Sequence, residues 1–210
     1  MANSSSDGVR YEVECDTSGA AQHGVIAECE WRIVDDIQAE EILTLSTPFG
    51  PRLTGRWPFV GHAVQSFVLD DSALKMRLEI HSSYGRMPAI AGYHPWFRRE
   101  LYSGALTSIE FTPTRRLVAA VRGLVASEDL GERRWDDLFV ELTQSPRISW
   151  PDGPMLTLES DVVVWAHFER MPVAFCIEPG TGTNDGLETE WAKVVVPDDP
   201  LTLNFTIHFR

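Results

Sequence analysis

The sequence predicts an all-β protein, an antiparallel β-sandwich, and two observations carry that prediction. Residues 74–80 (LKMRLEI) and 201–209 (LTLNFTIHF) alternate apolar and polar side chains without interruption. A period of two turns one face of a strand toward a core and the other toward solvent, as is typical of antiparallel sheets. Helical periodicity is scarce, so the sequence does not show the alternation of strands and helices that βαβ units require.

The other candidate strands are short segments of β-forming composition, separated by Gly, Pro, Asp or Ser residues. They are residues 10–15, 29–34, 41–46, 64–69, 106–111, 138–142, 155–158, 162–168, 174–178 and 193–196. Turns are indicated at residues 35–36 (DD) and 198–200 (DDP), before the last strand. Helix is expected only as a turn or two within residues 127–135 and 186–192.

Composition places limits on the class of protein. The chain has 210 residues, 43% of them hydrophobic, and a formal net charge of −13. These values fit a single domain over residues 1–210, with residues 1–8 as a flexible end, and they exclude a disordered chain. The acidic balance argues against a nucleic-acid partner, because such binding needs clustered Lys and Arg. No apolar run approaches the roughly 20 residues that span a bilayer, and the first residues lack the features of a signal peptide. We therefore expect a cytoplasmic protein without a membrane partner.

Neither cysteines nor histidines predict a metal site. The chain has three cysteines: Cys15, Cys29 and Cys176. They form no CxxC pair and no disulfide framework, so we interpret them as reduced thiols. The six histidines show no zinc-like spacing, and we expect neither a metal nor a cofactor. His81, His167 and His208 fall in strand patterns and are predicted to lie on the sheet surface.

Residues 92–97, GYHPWF, are the densest local signal for chemistry. Pro95 favours an extended conformation at His94, because the residue before a proline is pushed out of the helical region. Trp96 and Phe97 follow, and aromatic faces of this kind stack on the C–H surfaces of sugars. A lone histidine is more often structural than catalytic, so this motif needs a partner.

Residues 176–181, CIEPGT, are the second signal. A run of apolar residues ends at Glu178, and Pro179 follows it directly. A carboxylate at the end of a buried strand must be hydrogen-bonded or neutralised, because burying a bare charge is costly. General bases are tuned in such environments. A capping or salt-bridged glutamate is the simpler alternative.

Together these segments resemble the aldose 1-epimerase (galactose mutarotase) family. That family has a general-acid histidine in a Gly-x-His-Pro-aromatic-Phe stretch and a general-base glutamate in a Glu-Pro-x-Thr stretch, which the resemblance places at His94 and Glu178. Residues 22–24 (QHG), before 31–34 (WRIV), resemble the family's His-Gly element, so His23 becomes a second substrate-contacting histidine. Residues 135–139 (WDDLF) resemble its Asp-x-x-Phe element, so Asp136 becomes a sugar-binding aspartate.

The resemblance implies a galactose mutarotase-like supersandwich. Family members usually have several more N-terminal strands, including an Asn-Arg element whose arginine contacts the sugar, and nothing before Arg10 matches it. We therefore expect an N-terminally trimmed sandwich that binds sugar weakly, with a dissociation constant in about the millimolar range. Pairing through the exposed sheet edge into a homodimer is a second expectation.

The function implied is an isomerase that interconverts the α and β anomers of a hexose or related sugar. Glu178 would be the base and His94 the acid, while His23, Asp136 and Trp96 orient the sugar. This chemistry needs a small-molecule sugar and no cofactor or metal.

Three alternatives stay open at the level of sequence. The first is a non-catalytic carbohydrate-binding or sensing module on the same fold. The second is a hexose-6-phosphate 1-epimerase, which would use arginines such as Arg98, Arg99 or Arg52. The third is a structural β-sandwich without a ligand.

Overall fold

The computed structural model describes most of the chain. The described residues are 2–6, 9–13, 24–27, 29–34, 42–54, 57–102, 104–117, 127–129, 136–151, 153–183, 187 and 191–210, with the backbone alone at 2–6, 9–13, 53–54 and 127–129. Within these ranges the secondary structure is β-strand with one short helix. The elements in chain order are β1 (Ala2–Ser6), β2 (Val9–Val13), β3 (Arg32–Ile33), β4 (Ile42–Phe49), α1 (Pro51–Thr54), β5 (Gly61–Leu69), β6 (Ala73–Ser82), β7 (Met87–Ala89), β8 (Trp96–Arg98), β9 (Ser108–Glu110), β10 (Pro113–Leu117), β11 (Ser127–Asp129), β12 (Asp136–Leu142), β13 (Arg147–Ser149), β14 (Met155–Ser160), β15 (Val164–Phe168), β16 (Ala174–Gly180), β17 (Lys193–Val195) and β18 (Leu201–Phe209).

Two large antiparallel sheets form the body of the fold. One has eight strands in the order β3-β4-β5-β6-β18-β14-β13-β9, and the other has six in the order β11-β10-β12-β15-β16-β8. Two two-stranded sheets, β1-β2 and β17-β7, complete the described strands. The predicted fold class, an all-β antiparallel β-sandwich, is confirmed.

The two large sheets pack against each other through aromatic side chains. Phe205 of β18 lies 5.6 Å from Tyr93 and 6.4 Å from Trp165 of β15, measured between ring centroids. Phe175 and Ile177 of β16 point into the same interior and are completely buried. Because side chains alternate along a strand, the residues between these core positions lie on the outer face of the six-stranded sheet. That outer face carries the candidate site.

Some segments of the described chain differ from what the sequence indicates. Residues 127–129, which the sequence assigns to a helical turn, form β11, since this segment pairs with β10 and pairing overrides a weak local preference. Residues 2–6, assigned to a flexible end, form β1 antiparallel to β2. The second candidate helix, 186–192, falls mostly outside the described residues. Within the part of the chain that the structure describes, no helix has the length and apolar character needed to cross a membrane.

Candidate active site

Strand register brings the two strongest sequence motifs together. β16 and β8 pair antiparallel with Cys176 opposite Trp96, and the bridge between Gly92 and Gly180 continues the same register past Pro95. This register places His94 opposite Glu178. Cross-strand neighbours project to the same side of a sheet, so the histidine and the glutamate share a face.

His94 and Glu178 are in direct contact. Nδ1 of His94 lies 3.3 Å from Oε1 of Glu178. The two side chains differ in exposure, at 36% for His94 and 19% for Glu178. The pair therefore forms an acid–base contact that is reached from solvent on the histidine side and enclosed on the glutamate side.

The surroundings of Glu178 favour its protonated form. Burial is the largest cause and raises the pKa of the carboxyl from 4.5 to about 7; a hydrogen bond from Cys176 opposes this rise, and the negative charge of Asp136 adds to it. Desolvation disfavours a charged carboxylate because the interior solvates it poorly. Glu178 is consequently a carboxyl group that gains and loses its proton near neutral pH, as a general base must.

Cys176 lies beside this pair and is completely buried. It is two residues before Glu178 on β16 and therefore on the same face. Trp96 and Phe168 are the cross-strand neighbours of Cys176 on the two adjacent strands. Their rings meet edge to face, with centroids 5.9 Å apart. The two aromatic rings thus cover the sulfur atom. Burial is also the main reason that the pKa of the thiol is raised, with the neighbouring Glu178 adding to the rise.

A set of backbone contacts holds the histidine segment against the glutamate strand. The amide of Tyr93 donates to the carbonyl of Pro179 at 3.0 Å, and the amide of Thr181 donates to the carbonyl of Ala91 at 2.8 Å. The hydroxyl oxygen of Thr181 accepts a further bond from the amide of Ala91 at 3.0 Å. These three bonds lie on the side of the dyad away from Trp96 and Cys176, and they tie the histidine segment to the glutamate strand.

Trp96 and Asp136 lie on the same face as the dyad. Trp96 stacks on His94 with ring centroids 5.4 Å apart, and 49% of its surface is exposed. Asp136 of β12 is opposite Phe168 of β15, which is opposite Cys176 in turn, so it belongs to the same row of side chains. Its carboxylate is exposed and lies 3.4 Å from the guanidinium of Arg170.

His23 falls outside the described residues, so its predicted role stays a prediction. Sequence reasoning did not assign a role to three residues that shape the site: Cys176, Phe168 and Thr181. A signal for two of them was present. The two-residue spacing of Cys176 and Glu178 predicts a shared face, and Thr181 is part of the Glu-Pro-x-Thr stretch.

Comparison with known proteins assigns the family. The sequence model described as aldose 1-epimerase matches residues 1–117. The chain belongs to the aldose 1-epimerase family. The matched range includes His94 but neither Asp136 nor Glu178, so the placement of those two residues at the site comes from the strand register alone.

Solved structures show the same fold at low sequence identity. A galactose mutarotase-like protein from Clostridium acetobutylicum has a TM-score of 0.78 at 13% identity, covering 100% of this chain and 75% of its own. A candidate aldose 1-epimerase from Escherichia coli K12 has a TM-score of 0.77 at 16% identity, covering 99% and 78%. A galactose mutarotase-like protein from Lactobacillus casei has a TM-score of 0.71 at 14% identity, covering 99% and 80%. A comparison with curated proteins found no match.

Proposed function

We propose that this aldose 1-epimerase family member interconverts the α and β anomers of a hexose or related aldose by acid–base ring opening. The observation that carries the proposal is the 3.3 Å contact between Nδ1 of His94 and Oε1 of Glu178. Anomer exchange requires one group to take a proton from the anomeric hydroxyl and another to give a proton to the ring oxygen. Both oxygens of a cyclic hemiacetal are bonded to the same carbon, so an acid and a base that touch each other have the spacing the reaction needs.

The proton balance of the reaction suits a pair that shares one proton. Before ring opening Glu178 is a carboxylate and His94 carries the proton. Glu178 takes the proton of the anomeric hydroxyl, His94 gives its proton to the ring oxygen, and the C1–O5 bond breaks to leave the open-chain aldehyde. After rotation about the C1–C2 bond, the ring oxygen attacks the other face of the aldehyde and both transfers reverse. The pair ends as it began.

A general base works best when its pKa lies near the pH at which the protein operates. The pKa of Glu178 is raised to about 7 by burial. A glutamate with the ordinary pKa of 4.5 would be a much weaker base. Burial of the carboxyl group therefore supports its role as the base.

Trp96 and Asp136 are proposed to orient the sugar. The ring of Trp96 stacks on His94 and is half exposed, so it can pack against the C–H face of a pyranose. The carboxylate of Asp136 accepts hydrogen bonds from sugar hydroxyls, which would replace its contact with Arg170. His23 is proposed as a further contact on the resemblance alone.

A sugar phosphate is a second candidate substrate because of one arginine. Arg98 is exposed and lies two residues from Trp96 on β8, on the face that carries the dyad. Arg99 is unsuited to this role, since its guanidinium binds the side chain of Glu169 at 2.7 Å and two backbone carbonyls. Of these two neighbouring arginines, Arg98 is the one proposed to bind a 6-phosphate.

The test is NMR exchange or polarimetry on freshly dissolved α-glucose, α-galactose and glucose 6-phosphate, in a buffer without phosphate and with EDTA. We expect exchange faster than the spontaneous rate. Glu178→Gln and His94→Asn should each lower the rate at least about 100-fold, the usual contribution of an acid–base group. Arg98→Gln should slow exchange of the phosphate ester alone if that ester is the substrate.

A matched control pair exists elsewhere on the molecule. Nε2 of His208 lies 3.1 Å from Oε2 of Glu159 on the eight-stranded sheet. Glu159→Gln should leave exchange unchanged. Sugar binding without acceleration by the wild-type protein would support a non-catalytic binding module instead, and equal activity in Glu178→Gln would contradict the acid–base assignment.

A further inference from the structure

Cys176 extends the dyad into a cluster of three different metal-ligating side chains. One ligand atom from each of His94, Cys176 and Glu178 lies within 4.8 Å of the others. Cys176 and Glu178 lie on β16, and His94 lies on the segment just before the neighbouring strand β8. All three side chains project from the same face of the sheet. Nitrogen, sulfur and carboxylate oxygen together form a ligand set that zinc accepts in proteins.

The spacing of these atoms is close to that of a bound cation. Zinc binds nitrogen and oxygen at about 2.0–2.2 Å and sulfur at about 2.3 Å, so ligand atoms in a tetrahedral site are about 3.5 Å apart. The nitrogen of His94 and the oxygen of Glu178 are already 3.3 Å apart. The sulfur of Cys176 lies within 4.8 Å of both atoms, so binding of a cation would draw it closer to them to complete the set of protein ligands.

The charge of the cluster also suits a divalent cation. Coordination removes the proton from a thiol, so Cys176 and Glu178 would supply two negative charges and balance the ion. Asp136 lies close enough to affect Glu178 electrostatically and adds further negative potential. A thiolate ligand selects soft or borderline ions such as Zn²⁺, Cd²⁺ and Co²⁺ over Mg²⁺ and Ca²⁺.

We propose that His94, Cys176 and Glu178 bind a thiophilic divalent cation such as Zn²⁺, and that the bound cation prevents anomer exchange by occupying the acid and the base. Exclusion of the sugar rests on the proposed function. Binding of the cation does not, because it depends only on the three side chains.

Binding is tested by titrating the EDTA-dialysed, full-length protein with Co²⁺ and Cd²⁺ and recording the sulfur-to-metal charge-transfer absorption. Cys15→Ala/Cys29→Ala leaves Cys176 as the sole cysteine of the chain and should keep the band. Cys176→Ala should lose it. Loss of outer partners of a metal site already weakens binding about 10- to 100-fold, so Cys176→Ser and His94→Ala should weaken Zn²⁺ binding by more than about tenfold, measured against a chromophoric chelator.

Three results would overturn the site: no band with the wild-type protein, a band that persists in Cys176→Ala, or equal affinity for Mg²⁺ and Zn²⁺. A thermal melt of each variant establishes that it is folded. His208→Ala, which alters another His–Glu pair, should bind Zn²⁺ as the wild type does. In the exchange assay, Zn²⁺ should stop anomer exchange and EDTA should restore it. Saturating Zn²⁺ with undiminished exchange would refute the exclusion of sugar while leaving the binding site intact.

Discussion

Replacing the proposed base with a neutral isostere should stabilise the protein while removing its activity. Glu178 has a pKa raised by burial from 4.5 to about 7. The folded state therefore binds this proton more tightly than the unfolded chain does, and stability falls as pH rises from about 4.5 to about 7. Above pH 7 the folded protein carries a poorly solvated carboxylate. Glu178→Gln has the same shape without the charge, so it should avoid that cost.

The size of the effect follows from the pKa. A tenfold change in proton affinity corresponds to about 1.4 kcal/mol, so the rise in the pKa of Glu178 costs at most about 3 kcal/mol of stability at alkaline pH. The side chain is 19% exposed, which leaves the carboxylate mostly without water to solvate it. With a urea dependence of about 2–3 kcal/mol per molar, the unfolding midpoint of Glu178→Gln should rise by about 1 M. Near pH 5 most of this difference should vanish, because the folded wild-type protein is then protonated at the same position.

The assay is urea denaturation of wild type and Glu178→Gln, with EDTA, at about pH 5 and about pH 8.5. Glu159→Gln serves as the control, since Glu159 also contacts a histidine but is exposed at the surface. The control should not stabilise the protein at pH 8.5. A gain for Glu178→Gln that is equal at both pH values would show that packing, not charge burial, is responsible, and no gain at pH 8.5 would show that the carboxylate is well solvated.

Three further predictions concern the site and the sheet that holds it. The rate constant kcat/KM for anomer exchange should fall as pH drops below about 7, because the raised pKa of Glu178 removes the carboxylate there; a fall only below about pH 5 would contradict the raised pKa. Thr181→Val removes the hydrogen-bond acceptor for the amide of Ala91 and should cost about 1–3 kcal/mol of stability, measured by urea denaturation. The same substitution should lower kcat more than it changes KM, and an unchanged kcat would show that the bond does not position the dyad. Gly61→Ala should strongly destabilise the fold in a thermal melt, since an added Cβ would overlap the carbonyl oxygen of His81. A melting temperature within a degree or two of the wild type, about the effect of a neutral surface substitution, would refute this close approach.

The sequence pattern was enough to predict the long strands but missed several of the short ones, β7 and β8 among them. β18 spans Leu201–Phe209 as the pattern indicates, because nine uninterrupted alternating residues identify a half-buried strand. β7 and β8 have three residues each and contain or follow a proline, so no local pattern distinguishes them from a loop. Their extended state comes from pairing with β17 and β16, which lie far away in the sequence.

His167 shows where the sequence interpretation was wrong. It falls in a strand pattern and was predicted to lie on the sheet surface. Trp165, two residues earlier, is buried in the sandwich, and a period of two puts both side chains on the same face. The structure buries His167 against Phe111, with ring centroids 5.1 Å apart. The period of two predicts the burial of His167 better than the polarity of its side chain does.

The candidate site was predictable as a set of residue types but not as a geometry. The motifs identify His94 and Glu178, yet only the register of β8 and β16 places them opposite each other. The coverage of Cys176 by Trp96 and Phe168 depends on three strands from separate parts of the chain. No spacing in the sequence contains this information.

The packing of the core is what keeps the site assembled. Phe175 and Ile177 point into the interior between the sheets, while Cys176 and Glu178 alternate with them on the outer face. A slip of β16 by one residue would turn Glu178 into the apolar core and Ile177 to solvent, so the burial of Phe175 and Ile177 penalises such a slip. Stabilisation of the core thus fixes the position of the pair, although the two core side chains point to the opposite face of the sheet. The unfavourable burial of Glu178 is tolerated because the same strand contributes two fully buried apolar side chains on its other face.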